Sequence, residues 1–381
     1  MSRRMLLVIL ALLPLSSRFA AKAEEPSHAW RFDPALMEPF WLSDTMRGET
    51  VLFVKGNDDD RPRATLLFVP TKILAVTSSS GETTYTEGKD YVWRPGTRRI
   101  ELPPGSRIVF KTPQELRRPA GSQRHRLTHR DGNGEILFGA LHEYHAMQTA
   151  VTYAHRPDAW TGPRPAFAGK QLPQTLAKLR AKKPLCIVLH GDSISTGCNA
   201  SGWSSEPLPP YQPPFQELFA RNLEAAYGGK VALKNISLGG ADTRWGLSTI
   251  SQVIEAEPDL VILAFGMNDS ASRRPADFQA LTRQMTDAVR KARPQAEFIL
   301  VAPMLPNRGW TLLHHDYFPP YRDALAELCG PGVALADMTS IWNEMFKQKQ
   351  DWDLTGNGVN HPNDFGHRVY AQVLSALLIA E

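Results

Sequence analysis

The pattern of hydrophobic and polar residues divides the chain into two parts with different predicted structure. Between about residues 30 and 155 the apolar runs are short and β-rich, for example 50–54, 64–69 and 73–76, and clusters of Gly, Asp, Asn or Pro separate them. Short runs of this kind are typical of antiparallel sheets. Since no helical periodicity competes here, the pattern predicts an N-terminal β-sandwich, jelly-roll-like, over this part of the chain.

From Pro184 onward, strands alternate with helices. Residues 185–189 and 260–265 are continuous apolar runs, as expected of strands that are buried on both faces. Amphipathic segments such as 218–227 and 278–293 lie between the runs of this part, and another covers 367–379. This alternation predicts a parallel sheet with a layer of helices on each face, an α/β/α fold.

A proline-rich stretch from Arg156 to Ala168 separates the two parts. We predict a β-sandwich domain over residues 24–165 and an α/β domain over residues 166–381, and a chain of 381 residues is long enough for both.

The first 23 residues have the composition of an export signal. Arg3 and Arg4 precede an apolar run over residues 5–15, and the sequence Ala-Lys-Ala at 21–23 suits cleavage after Ala23. The apolar run is too short to span a bilayer as a stable anchor. We therefore expect an exported protein, periplasmic or extracellular, without a membrane anchor after cleavage.

The predicted signal also accounts for the basic balance of the chain. The chain has 43 Lys and Arg residues against 39 Asp and Glu residues, and four of the basic ones lie within residues 1–23. The mature chain would carry equal numbers of both, which argues against a nucleic-acid-binding surface. The three cysteines are too few, and odd in number, for a disulfide framework.

Four groups of polar residues follow predicted strands of the second part or precede its last helix. They are residues 190–195, 237–243, 266–269 and 359–364, and they contain Ser193, Gly240, Asn268 and His361, respectively. In an open parallel sheet the ligand site lies beyond the carboxyl ends of the strands, which is where the first three groups are predicted.

In this order, the four groups resemble the sequence blocks of the SGNH hydrolases, also called GDSL esterases. The Gly-Asp-Ser sequence at 191–193 matches the block of the nucleophile, Gly240 and Asn268 match the glycine and asparagine blocks, and the His-Pro-Asn sequence at 361–363 matches the histidine block. The resemblance covers about residues 184–381. Each motif alone is weak, but the combination of all four is specific.

The resemblance implies a serine hydrolase that needs no cofactor and no metal. Ser193 would attack an ester carbonyl after His361 removes its proton, because an unassisted hydroxyl is a poor nucleophile near neutral pH. The oxyanion hole would consist of the backbone N–H groups of Ser193 and Gly240 and the side-chain amide of Asn268.

One position departs from the family pattern. The family carries an aspartate three residues before the histidine, where this chain has Gly358. Two arrangements stay open: Asp353 reaches the imidazole from a shifted loop, or a backbone carbonyl orients His361 in a Ser–His dyad. Another acceptor could partly substitute, because the acid of a triad orients the histidine without taking its proton. We favour the dyad.

The order of the two domains resembles that of carbohydrate esterase family 2, in which a β-sandwich precedes an SGNH domain. This implies hydrolysis of a short acyl group, such as acetyl, on a carbohydrate, so that the partner is an acylated small molecule or polysaccharide. Two alternatives remain: a lipase or thioesterase with the same residues, and a noncatalytic glycan-binding protein on the same scaffold.

Several other residues have two interpretations each. His190, Trp203, Trp245 and Trp310 lie beside the motif loops and suit either packing or substrate contact. His142 and His145 lack the spacing of a metal motif, and on an extended chain they would point to opposite faces. We therefore expect no metal there.

Overall fold

The computed structural model describes residues 30–139, 143–205 and 207–380. The predicted export signal at residues 1–23 and His142 lie outside the described residues. Within these ranges, no helix combines the length and the apolar character that crossing a membrane requires.

The N-terminal part is β-rich, as the sequence predicts. After a short 3-10 helix (Pro34–Met37), its elements are β1 (Thr45–Val51), β2 (Phe53–Val54), β3 (Arg63–Thr65), β4 (Pro70–Ser78), β5 (Val92–Trp93), β6 (Arg99–Glu101), β7 (Phe110–Lys111), β8 (Arg117–Arg118), β9 (Glu135–Ile136), α1 (Glu143–Met147) and β10 (Thr149–His155).

These strands form three sheets. A three-stranded antiparallel sheet has the order β1-β10-β4, a five-stranded sheet has the order β5-β6-β3-β2-β7, and β8 pairs with β9. Alternate residues of β10 are buried, for example Val151 and Tyr153, and they share one core with Phe53 and Ile100 of the five-stranded sheet. The side chains of β10 therefore alternate between a buried face and a partly exposed one, as a pleated strand requires.

One local prediction for this part is wrong. Residues 143–147 form the helix α1 where we assumed an extended chain. A helix of five residues is too short to leave a clear periodic signal in the sequence. This helix carries the buried side chain of Tyr144.

The C-terminal part alternates strands and helices. Its elements are α2 (Pro173–Arg180), β11 (Leu185–Gly191), α3 (Ser193–Thr196), α4 (Phe215–Tyr227), β12 (Val231–Asn235), α5 (Thr243–Ser248), α6 (Ile250–Glu255), β13 (Leu260–Ala264), α7 (Pro275–Ala292), β14 (Glu297–Ala302), α8 (Phe318–Ala326), β15 (Val333–Asp337), α9 (Met338–Met345), α10 (Asp351–Leu354) and α11 (Asp364–Leu378).

The five strands of this part form one parallel sheet of order β12-β11-β13-β14-β15, which confirms the predicted fold class. Side chains of β13 alternate between two cores: Leu260 and Ile262 pack on one face of the sheet, Val261 and Leu263 on the other. The chain passes from β11 to one neighbour, β12, and then to the other, β13. The carboxyl end of β11 therefore lies at a switch point of the sheet, where α/β proteins bind ligands.

A buried ion pair joins the two parts of the chain. Nζ of Lys349 lies 2.5 Å from Oε1 of Glu49 in β1, and both side chains are fully buried. Lys349 also donates to the carbonyl of Thr65, and the hydroxyl of Tyr153 donates to the second oxygen of Glu49 at 2.5 Å. A buried charge is tolerated when its partners are in place, so this network fixes the two parts against each other.

Candidate active site

The nucleophile turn begins where β11 ends. Gly191 has no room for a side chain, because a Cβ there would lie 2.4 Å from Oγ of Ser195 and 2.5 Å from the carbonyl oxygen of Ala264. Asp192 caps α3 by accepting from the N–H of Ile194 at 2.9 Å. Ser193 is therefore the first residue of α3, where a backbone N–H has no acceptor within the helix.

The structure brings Ser193 and His361 together. Oγ of Ser193 lies 2.8 Å from Nε2 of His361, a hydrogen-bonding distance across 168 positions of sequence. Ser193 is 8% exposed, so its hydroxyl is within reach of a substrate but not freely hydrated. This is the contact that a base needs in order to remove the hydroxyl proton.

The histidine loop, residues 355–362, is held mainly by asparagine side chains. Oδ1 of Asn357 accepts from the N–H groups of Val359, Asn360 and His361. From outside the loop, Nδ2 of Asn307 donates to the carbonyl of Gly358 at 2.8 Å. These bonds define the backbone from which the imidazole projects.

The second imidazole nitrogen meets a residue that the sequence did not indicate. Nδ1 of His361 lies 2.9 Å from Oδ1 of Asn199, which has a φ of +66°. Nδ2 of Asn199 donates to the carbonyl of Gly356 at 3.2 Å. Because that carbonyl requires a donor, the amide presents its oxygen to the imidazole. Nδ1 of His361 then carries the proton, and Nε2 is free to accept from Ser193.

Neither acceptor that we considered for His361 faces its Nδ1. The carboxylate of Asp353 is buried and accepts from the backbone N–H groups of Leu52 and Gln350, so it serves the contact between the two parts of the chain. The acceptor at Nδ1 is a side-chain amide and not a backbone carbonyl. Nothing in the sequence pointed to Asn199 beyond its polar side chain, six residues after Ser193.

Burial lowers the pKa of His361 from its ordinary value of 6.5 to about 4. An aspartate beside Nδ1 would oppose this shift by stabilising the imidazolium, whereas the amide of Asn199 has no charge. His361 is therefore neutral, and able to act as a base, well into the acidic range.

The loops that carry Gly240 and Asn268 lie next to Ser193. The N–H of Leu238 donates to the carbonyl of Gly191, and a Cβ on Gly239 would lie 3.9 Å from Cβ of Ser193. One N–H of the Asn268 amide donates to the carbonyl of Ala241 at 2.8 Å, which leaves the second N–H available for a ligand. The φ of Gly240 is +78°, a value that favours glycine.

A buried charge network ties these two loops together. Asp269 accepts from the N–H and the hydroxyl of Thr243, at the start of α5. Arg273 bridges the carboxylates of Asp269, at 2.7 Å, and Asp242, at 2.5 Å, and its side chain is 6% exposed. Asp269 thus connects the glycine loop to the asparagine loop. The bridging role of Arg273 could not be predicted, because Asp242, its second partner, lies 31 positions away in the sequence.

The other candidate residues have structural contacts. Both nitrogens of His190 face backbone carbonyls, those of Ile236 and Gly246, and its ring packs on Trp245. Nε1 of Trp310 donates to the carbonyl of Arg126 in the N-terminal part. In the described ranges, no three His, Cys, Asp or Glu side chains are grouped as a metal site would require.

One family model matches the C-terminal part of the chain. The model of the GDSL-like lipase/acylhydrolase family matches residues 189–369. Residues 189–369 therefore carry a GDSL-like lipase/acylhydrolase domain. The match covers the last three residues of β11, all four loops of the candidate site, and the first six residues of α11.

Solved structures with a similar fold include three esterases or lipases. A two-domain esterase active on acetylated mannans is 18% identical, with a TM-score of 0.44 over 57% of this chain and 55% of that one. A lipase from a goat rumen metagenome is 17% identical, with a TM-score of 0.42 over 51% and 97%. A variant of an acetyl xylan esterase from Geobacillus stearothermophilus is 20% identical, with a TM-score of 0.39 over 49% and 91%.

This chain thus spans about half the length of the two-domain esterase. No curated protein sequence matches it.

Proposed function

We propose that this GDSL-like protein is a serine esterase that uses Ser193 as nucleophile, His361 as general base and Asn199 to orient the histidine. The observation that carries the proposal is the continuous chain of contacts from Ser193 Oγ to His361 Nε2, at 2.8 Å, and from His361 Nδ1 to Asn199 Oδ1, at 2.9 Å. A nucleophile, a base and an orienting acceptor are the parts that activation of a hydroxyl requires.

The reaction would follow from these positions. His361 takes the proton of Ser193 as Oγ attacks the ester carbonyl, and the negative charge on the carbonyl oxygen develops beside the N–H groups of Ser193, Gly240 and Asn268. His361 then gives the proton to the leaving alcohol, and a water molecule, activated by the same imidazole, hydrolyses the acyl-enzyme. Arg273 keeps the glycine and asparagine loops in register throughout.

We further propose that the substrate carries a short acyl group, acetyl in the first place, on a carbohydrate, and that the protein acts outside the cytoplasm. The domain order and the predicted export signal support this. An open site also supports it, because Leu238, Gly239 and Gly240 are exposed beside Ser193. A bulky alcohol portion of the ester can then remain outside the protein while its acyl carbonyl reaches the nucleophile.

The test is turnover of 4-nitrophenyl acetate, butyrate and a long-chain ester by the purified chain without residues 1–23. We expect a preference for acetate that Ser193→Ala abolishes. Ser195→Ala is the matched control, because Ser195 is buried two residues away and its hydroxyl has no hydrogen-bond partner in the described part of the chain. Equal turnover by wild type and Ser193→Ala would refute the nucleophile.

Acetate release from acetylated polysaccharides then tests the substrate class. A preference for long-chain esters would overturn the carbohydrate proposal and leave the nucleophile intact. Binding of glycan with no turnover of any ester would favour the noncatalytic alternative.

A further inference from the structure

The N-terminal part contacts the histidine loop directly. The N–H of Gly139 donates to the carbonyl of Asn357 at 3.2 Å. Nε2 of Gln148 donates to the carbonyls of Trp352, at 2.7 Å, and Thr355, at 2.8 Å. The loop that carries His361 is therefore held on one side by residues of the other domain.

Another of these contacts is between Tyr144 of α1 and Gly358. Tyr144 is 2% exposed, and its ring lies against Gly358 so tightly that a Cβ there would be 2.2 Å from the hydroxyl oxygen and 2.3 Å from Cζ. The φ of Gly358 is +77°, so the backbone at this position also favours glycine. Gly358 is the position, three residues before His361, where the family pattern has its aspartate.

We propose that Tyr144 is a positioning residue for His361: its ring occupies the space that a side chain at position 358 would take, and thereby sets the conformation of the histidine loop. This proposal rests on the proposed function. In place of a carboxylate from within the loop, the chain uses an aromatic ring from the N-terminal domain to hold the loop and the amide of Asn199 to orient the imidazole.

The surroundings of Tyr144 explain why the ring cannot be replaced by local repacking. A cavity of about 520 Å³ lies between the two domains, away from Ser193, and Tyr144 lines it together with Asn307, Arg308 and Trp352. The cavity opens to solvent, so truncation of the ring would extend it up to the histidine loop and would let water reach the back of that loop. Water behind the loop would both loosen it and hydrate the imidazole.

This mechanism predicts a defined set of effects for Tyr144→Ala. We expect kcat for 4-nitrophenyl acetate to fall by about 100-fold with KM changed less than about 3-fold, because misplacement of a catalytic group by about 1 Å has a cost of this size. The pH at which kcat/KM falls on the acid side should rise by one unit or more, since hydration favours the imidazolium. Tyr144→Phe keeps the ring and should stay within about 3-fold of wild type.

A double-mutant cycle tests the contact itself. Gly358→Ala alone should reduce kcat strongly, because its methyl group collides with Tyr144. In the Tyr144→Ala background the same substitution should cost less than about 3-fold, since the collision is gone and only the backbone preference remains. Multiplicative effects of the two substitutions would overturn the proposal.

A control variant and the activity of the wild type distinguish a specific role of Tyr144 from a general loss of structure. Tyr91→Ala removes a buried ring of the N-terminal domain that is 5% exposed and is not among the residues that contact the histidine loop, so it should lower thermal stability without moving the acid limb. An acid limb that moves equally in Tyr91→Ala would mean a general structural effect and overturn the proposal.

If the wild type itself shows no turnover that depends on Ser193, the proposed function fails. If wild type is active and Tyr144→Ala matches it, only the role of Tyr144 fails.

Discussion

Oδ1 of Asn199 lies 2.9 Å from Nδ1 of His361, in the position where a charged carboxylate would complete a triad. An amide can fix the tautomer of the imidazole, but it contributes no charge to stabilise the imidazolium that forms during the reaction. The acid of a triad both orients the imidazole and stabilises the imidazolium, whereas Asn199 can only orient it. Substitutions of Asn199 can therefore measure the two roles one at a time.

Removal of the amide tests its orienting role. In Asn199→Ala, Nδ1 of His361 loses its acceptor and the ring is free to rotate, so we expect kcat to fall on the order of 10²-fold. KM should change little, because Asn199 contacts the histidine and not the substrate. Initial rates on 4-nitrophenyl acetate and the melting temperature, measured together, check this; an unchanged kcat in a folded variant would contradict the orienting role.

The pH dependence tests the missing charge. Because the lowered pKa of His361, about 4, favours the neutral imidazole, kcat/KM of the wild type should be flat from neutral pH down to about pH 5 and fall only near pH 4. A carboxylate in Asn199→Asp stabilises the imidazolium and raises this pKa, so the acid limb should move to higher pH by at least about one unit.

The comparison is made with kcat/KM between pH 3 and 8 for both proteins. A limb at the same pH in both would show that residue 199 does not face the imidazole in solution. Asn199→Asp also places a second oxygen opposite the carbonyl of Gly356, so its rate at the plateau should be lower than that of the wild type.

The loss of one oxyanion donor should lower kcat by a predictable factor. Asn268→Ala removes the only side-chain donor that we assign to the oxyanion, and the loss of one such donor costs about 10²–10³ in kcat. Asn133→Ala, on an exposed turn of the N-terminal part, is the control and should leave kcat unchanged. A loss below about 3-fold for Asn268→Ala would remove Asn268 from the oxyanion hole.

Loss of Arg273 should lower both the stability of the protein and its activity. Arg273→Met leaves the buried carboxylate of Asp269 and the half-exposed one of Asp242 without their shared cation, and breaking a buried pair of this kind costs about 3–5 kcal/mol. Arg293→Ala breaks an exposed pair with Glu257 and should cost less than about 1 kcal/mol. Urea unfolding compares the two, and an equal effect of both would show that Arg273 bridges no buried charges.

We also expect kcat of Arg273→Met to fall, because the glycine and asparagine loops lose the contact that aligns them. The measurement is made well below the unfolding transition of the variant, so that a lower rate reports the folded site.

Much of the fold followed from the sequence because it depends on local pattern. Continuous apolar runs such as 260–265 identify strands that are buried on both faces, and the ends of parallel strands lie at one edge of the sheet. Ser193, Gly240 and Asn268 could therefore be placed near one another before the structure was known.

The features of the site that could not be predicted from the sequence are tertiary contacts. Asn199 reaches His361 through a backbone with positive φ, and Tyr144 reaches Gly358 from another domain. Neither contact has a local pattern, and each joins residues that are more than 160 positions apart. The sequence shows that Gly358 stands where the family has an aspartate. It does not show the physical reason for this glycine, which is the ring of Tyr144.

The Lys349–Glu49 pair has a consequence for the evolution of this architecture. The two members belong to the N-terminal and the C-terminal part of the chain, and replacement of either part by a foreign one would leave the remaining charge buried without its partner. Exchange of either part between relatives is then destabilising unless both positions change together. The two halves of this chain are accordingly expected to be inherited as one unit rather than shuffled as independent modules.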